Sequence, residues 1–376
     1  MIKIDIEKIE KAPDNWSEVF DYREDLEKLD RELEPFRKYK NVIVVGNGGS
    51  ISSYDAYCAA LNPSVQTETV WTMDPALLNR VKKRFDPNKT IVIAVSKSGN
   101  TLGQMEALLY FIDFPVLVVT NPNEGTLSEL AKKLGWHVIP HPSIGGRFSG
   151  GTSSTLVGAS LVGLNSQKIL EGIVDGYEKL RDTAYTLSKY YFDLDEKGFS
   201  EVYVTCYCEP LKGFGNLIVQ LMHESVCKEE KGQTFYFAMG PEAQHHTNQR
   251  FLGGRKNVVG TFIVCQKPKP DIKLEINETI KDVDYKGDKL SVVDGISYSD
   301  LLDAEYLGTK GDADEKSVPN VTITIDEVNE KTVGQMVSFW HMVAFYSSVL
   351  RGVNAFDQPA VERSKNITLD IIKNLK

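Results

Sequence analysis

The chain has 376 residues, 41% apolar and 25% charged, with a net charge of −9 at pH 7. Such values suit one large or two medium globular domains and exclude a disordered or fibrous polymer. No apolar run reaches the roughly eighteen residues of a membrane-spanning helix, and no basic stripe exists to displace counterions from nucleic acid.

In chain order, residues 1–11 alternate charge with isoleucine and hold no apolar signal core, so no secretory leader and a cytoplasmic location are expected. Five scattered cysteines, at Cys58, Cys206, Cys208, Cys227 and Cys265, suit reduced thiols in that compartment. Short Val- and Ile-rich runs at 42–45, 91–95, 115–120 and 136–139, each bounded by Gly, Asn, Ser or Pro, read as buried parallel strands. Helical spacing fills the gaps, as in Leu102, Met105, Leu108, Leu109 and Ile112. This alternation predicts βαβ crossovers with helices on both faces of a sheet.

Residues 154–164 read as an interior helix, and a charged helical stretch at 170–193 separates this unit from a second. There the pattern restarts with strands at 202–206, 234–238, 258–264 and 321–325 and helices at 214–227, 242–251, 333–350 and 359–375. Residues 268–317 are polar and show no clear periodicity. The expected class is α/β, with two αβα sandwich units whose doubly wound sheets are mostly parallel. The expected boundaries are 1–165, 166–355 and a helical tail at 356–376.

In open α/β sheets, ligands bind beyond the carboxyl ends of the strands, where helix N-termini present N–H groups. The first such loop is Gly46-Asn47-Gly48-Gly49-Ser50. It begins like a dinucleotide fingerprint, but Ile51 stands where the third small residue is needed. The second is Ser96-Lys97-Ser98-Gly99-Asn100-Thr101, whose hydroxyls, lysine and glycine at a helix start make a phosphate cradle. A helix cap needs one such residue, and the spacing is not that of a nucleotide-binding P-loop.

Four further segments are informative: Gly145-Gly146-Arg147-Phe148-Ser149; Gln220 followed by His223-Glu224-Ser225; Gly240-Pro241-Glu242-Ala243-Gln244-His245; and Asn354-Ala355-Phe356-Asp357-Gln358, continuing to Val361-Glu362 and Lys365. With the two loops, and in this order, they resemble the phosphoglucose isomerase family of the sugar-isomerase (SIS) superfamily. Ala355 replaces that family's usual proline.

The resemblance implies an aldose–ketose isomerase acting on glucose 6-phosphate and fructose 6-phosphate in glycolysis and gluconeogenesis. It implies Glu224 as the base, Arg147 as the stabiliser of an enediolate, and His245 with Lys365 as the ring-opening pair. Substrate contacts would come from Gly48, Gly49, Ser50, Ser96, Lys97, Ser98, Thr101, Gln220 and Gln358. It further implies a homodimer in which the histidine enters the neighbouring site.

Chemically the roles fit. Histidine titrates near neutrality, arginine keeps its charge, and the apolar neighbours Leu217, Ile218, Leu221 and Met222 would strip water from Glu224. No cofactor and no metal are expected, because Glu242 and His245 supply too few ligands. Two alternatives stay open. One is a dual glucose/mannose phosphate isomerase, whose kind shares the Ser-Gly-Asn-Thr loop. The other is a non-catalytic sugar-phosphate-sensing module, which would need neither base nor ring-opening pair.

Overall fold

β-Branched side chains covered on both faces build the first sheet. In the computed structural model, which describes residues 2–268 and 270–375, the chain opens with Ile2–Ile4 (β1). It then forms Asn41–Val45 (β2), Gln66–Val70 (β3), Thr90–Ser96 (β4), Val116–Thr120 (β5) and His137–Pro140 (β6). Strands β2 to β6 pair in parallel in the order β3-β2-β4-β5-β6. Every residue of β4 and β5 is buried, as a parallel sheet between helix layers requires.

Successive strand residues point to opposite faces, and the packing divides accordingly. Ile43, Val45, Val92 and Val118 pack on the outer-layer helices Pro75–Arg84, Leu102–Leu109 and Thr126–Leu134. Val42, Val44, Ile93 and Val119 face inward, toward Gly49–Leu61 and Ser153–Leu161. In chain order the helices are α1 (Leu26–Leu33), α2 (Gly49–Leu61), α3 (Pro75–Arg84), α4 (Leu102–Leu109), α5 (Thr126–Leu134) and α6 (Ser153–Leu161). They continue as α7 (Ser166–Lys179), α8 (Arg181–Asp195), α9 (Phe214–Val226), α10 (Thr247–Gly253), α11 (Tyr298–Glu315), α12 (Glu330–Arg351) and α13 (Glu362–Lys373).

The second sheet comprises Glu201–Cys206 (β7), Thr234–Met239 (β8), Val258–Cys265 (β9) and, after a small hairpin of Asp284–Tyr285 (β10) and Asp288–Lys289 (β11), Asn320–Ile325 (β12). Its order is β1-β12-β9-β7-β8, parallel apart from β1 at the edge. Inner residues of both sheets join one apolar cluster around α2, α9 and α12. Helix α12 is buried along nearly its whole length, and a capping box between Asn329 and Thr332 starts it.

The helical stretch expected at 170–193 proves to be two helices, α7 and α8, broken at Leu180 and packed on α12. Strand β3 escaped the sequence reading because Gln66-Thr67-Glu68-Thr69 is a polar edge run held by pairing to β2. The helix expected at 242–251 is a 3₁₀ turn, Glu242–His245, followed by α10, with His246 out of helical conformation at the junction. Within the unassigned 268–317 region lie the hairpin and α11. No described helix is long and apolar enough to cross a membrane.

Candidate active site

Strand order decides where the site opens. β3 lies on one side of β2 and β4 on the other, so the winding direction reverses between β2 and β4. The loops after these two strands therefore flank a crevice at the carboxyl edge. They are the glycine loop and the hydroxyl-rich loop singled out above.

The glycine loop is wedged between the Gln220 side chain and the Arg147 backbone. Gly48 has φ +55°, and a Cβ there would approach Gln220 Nε2 to 2.8 Å. A Cβ on Gly49 would lie 2.1 Å from the Arg147 backbone nitrogen. Gly49→Ala is therefore expected to displace the Arg147 turn, with at least a tenfold fall in kcat and about 1–3 kcal/mol of lost stability. Activity assays and thermal melts on the same preparation check this.

Arg147 is 3% exposed and all five of its N–H donors are engaged. Nε donates to Ser225 Oγ at 2.9 Å, and Nη1 to Glu224 Oε2 at 3.0 Å and to Gln358 Oε1 at 2.8 Å. Nη2 donates to the carbonyls of Ala355 at 2.6 Å and Asp357 at 2.9 Å. Burial draws the guanidinium below its ordinary pKa, and the Glu224 carboxylate opposes that fall. Behind the turn, His341 is fully buried, with Nδ1 2.6 Å from the Tyr177 hydroxyl and its ring edge-on to Phe148. Desolvation pushes His341 down to about 3, so it is neutral and serves as packing for the Arg147 segment.

Glu224 and Gln220 sit one turn apart on α9, so they share a face, and Gln220 Nε2 donates to Glu224 Oε1 at 2.8 Å. The apolar residues Leu217, Ile218, Leu221 and Met222 are buried in the core. Glu224 itself is a third exposed and lines a cavity of about 550 Å³ with Lys228, Asn354, Asp357, Gln358 and Val361. The expected stripping of water from this carboxylate is thus corrected. Its helix is amphipathic at this point, and the glutamate stands on the open side.

In the hydroxyl-rich loop, Ser96 is buried and its Oγ accepts from Gly99 N at 3.1 Å and meets Thr101 Oγ1 at 3.2 Å. Thr101 occupies the N-cap of α4, while Lys97 and Ser98 project outward. Lys97 Nζ reaches the Ser143 carbonyl at 3.4 Å and so links this loop to the segment leading into Arg147. Ser50 lies in the first turn of α2.

The hydroxyl-rich loop is not among the residues lining the Glu224 cavity, and two further residues stand apart from that cavity within one chain. His245 follows β8, the far edge strand of the second sheet, and lines a separate cavity with Asn248, Thr309 and Lys316. Lys365 is on α13, which buries none of its residues, and pairs with Glu362 at 2.7 Å. Among the described residues no three His, Cys, Asp or Glu side chains gather as a metal-ligating group. The sequence reading singled out Ser225 within its segment but gave it no role, and it missed Lys228 and the two main-chain carbonyls on Arg147. Carbonyls carry no residue identity, so no motif could flag them. The four-residue spacing from Glu224 was the one signal for Lys228.

Two mostly parallel sheets over a shared helical layer carry phosphate-type loops at a switch point, with an arginine–carboxylate pair beside the glycine loop. The fold is similar to that of a tagatose-6-phosphate ketose/aldose isomerase from Escherichia coli, with a TM-score of 0.55 and 13% identity over 88% of this chain and 89% of that one. No family model matches the chain. It is 30% identical to the glucose-6-phosphate isomerase of Methanocaldococcus jannaschii, over 98% of its own length and 92% of that protein's. Its fold is similar to that of a hypothetical protein from Thermus thermophilus, with a TM-score of 0.83 and 26% identity over 94% of this chain and 89% of that one. A glucose-6-phosphate isomerase from Chlamydia trachomatis gives a TM-score of 0.77 and 20% identity, over 93% of this chain and 74% of that one. The chain belongs to the glucose-6-phosphate isomerase family and is a sugar-phosphate isomerase.

Proposed function

We propose that the protein interconverts glucose 6-phosphate and fructose 6-phosphate through a cis-enediolate, without a metal. The observation that carries this reading is the bond from the buried Arg147 Nη1 to Glu224 Oε2 at 3.0 Å, with Glu224 itself lining an open cavity. Isomerisation needs one base to move a proton between C2 and C1, and a fixed cation where the enediolate oxygen gains charge. Glu224 takes the proton from one carbon and returns it to the other. Arg147 offers the developing negative oxygen a fixed charge, and Nη1 turns to that oxygen as substrate takes the place of its bond to Glu224 or Gln358. Gln220 and Gln358 orient the carboxylate and the sugar. Ser50, Ser96, Lys97, Ser98 and Thr101, with the Gly48–Gly49 turn, receive the phosphate and sugar hydroxyls.

Ring opening falls to His245 and Lys365. Since His245 stands away from Glu224 within one chain, it acts in the site of a second copy, and the working unit is a homodimer. The exposed Ile367 and Ile371 of α13, one turn apart, supply apolar surface for that assembly. Mixing an inactive His245→Ala preparation with an inactive Glu224→Gln one, under subunit exchange, is expected to restore about a quarter of wild-type sites. Failure to regain activity, with exchange demonstrated, would sink the shared site.

The direct test measures fructose 6-phosphate consumption by the purified protein, with and without a chelator. No turnover under either condition ends the reading. The same assay on mannose 6-phosphate resolves the dual-specificity alternative raised by the Ser98-Gly99-Asn100-Thr101 loop.

A further inference from the structure

Two lysines line the cavity beside Glu224, and they differ sharply. The Lys231 side chain is 45% exposed, whereas that of Lys228 is 10% exposed. An ammonium has three N–H donors, and three acceptors meet this one. They are the Ser225 carbonyl at 3.0 Å, the Asn354 carbonyl, and Asp357 Oδ1 at 3.0 Å. With every donor committed, Lys228 has none to lend to proton transfer.

The acceptors belong to two different segments. Ser225 lies in the last turn of α9, where carbonyls lack helical partners. Its own hydroxyl accepts from Arg147, and its neighbour is Glu224. Asn354 and Asp357 belong to the stretch that contributes Gln358 and the Ala355 and Asp357 carbonyls to Arg147. The turn that follows Lys228 is unusual as well. Glu229 and Glu230 have φ +54° and +60°, a left-handed conformation costing a non-glycine residue of the order of 1 kcal/mol. Backbone of that kind persists where surrounding contacts over-determine it. Burial lowers the lysine's pKa, and Asp357 opposes the fall.

We propose that Lys228 is a positioning residue, which fastens the 354–358 segment onto α9 so that Arg147 and Gln358 stay in register with Glu224. The inference rests on Arg147 and Glu224 being the reacting pair. Its test is a variant series in the fructose 6-phosphate assay, in which wild-type turnover first establishes the reaction itself. Failure of that control is therefore distinct from failure of the inference.

Lys228→Met is expected to lower kcat about 10- to 100-fold with KM within about threefold, because the phosphate loops are untouched. Lys228→Arg keeps the charge and the donors, and should recover to within about fivefold of wild type. Asp357→Asn removes one acceptor's charge at a half-exposed side chain and should cost about three- to tenfold in kcat. It carries the test if Lys228→Met does not fold. The idea is overturned if Lys228→Met keeps kcat within threefold of wild type, or if the Arg and Met variants lose kcat and thermal stability equally. With the Met variant unfolded, an unchanged kcat for Asp357→Asn overturns it.

Discussion

Glu224→Gln is expected to lower kcat by about 10²–10⁴-fold, the usual contribution of a positioned base, while affinity for 6-phosphogluconate stays within a few-fold. The argument is geometric. Glutamine has the same shape, so its amide oxygen can still accept from Arg147 Nη1, as Oε2 does at 3.0 Å. The other position then carries an NH₂ group facing Gln220 Nε2, now 2.8 Å from Oε1. Rotation of the Gln220 amide relieves that donor–donor contact at little cost. Binding of a six-carbon phosphate acid depends on the loops and on Arg147, which remain. What disappears is the lone pair that takes the proton. The stability loss should be modest, about 1 kcal/mol, because Glu224 is a third exposed and its ion pair is screened by water. Steady-state kinetics with 6-phosphogluconate as competitive inhibitor make the check. Turnover near the wild-type rate would remove Glu224 from the role of base.

Arg147→Lys should be worse than its retained charge suggests. Lysine offers three donors where five acceptors are arranged around a planar fork. At least two of Glu224 Oε2, Ser225 Oγ, Gln358 Oε1 and the Ala355 and Asp357 carbonyls then lose their partner, around a side chain that is 3% exposed. Each buried acceptor left unsatisfied costs about 1–3 kcal/mol, so a fall of several degrees in melting temperature is expected. In turnover, loss of one preorganised donor to a developing oxyanion is worth about 10²–10³-fold in kcat. The two effects separate in one experiment, since kcat measured well below the variant's melting temperature reports only the second. A Lys variant with wild-type kcat and a lowered melting point would show that Arg147 is structural and does not meet the enediolate.

The strands most legible in the sequence were those whose two faces are both buried, such as β4 and β5. Their continuous Val and Ile runs record complete burial directly. β3 and β1 were not legible, because an edge strand is held by a neighbour's hydrogen bonds and needs no apolar run of its own. The 3₁₀ turn at Glu242–His245 looked helical because its residue types are compatible with both forms. Only the break at His246, where φ is −149°, separates it from α10.

At the site, the split runs along another line. Residue identities at marked loops and motifs were readable from the chain alone: the two loops, Arg147, Gln220, Glu224 and Gln358. So was the class of chemistry they suit, because side-chain charge and hydrogen-bonding capacity are properties of the residue itself. The meeting of Arg147 with Ser225 across 78 positions and with Gln358 across 211 was decided by the fold. So were the openness of Glu224, the standing apart of His245 and Lys365, and the saturation of Lys228. These depend on which segments the shared helical layer brings face to face, and on main-chain carbonyls. Every residue possesses such a carbonyl, so no pattern of residue types could announce which ones would be used.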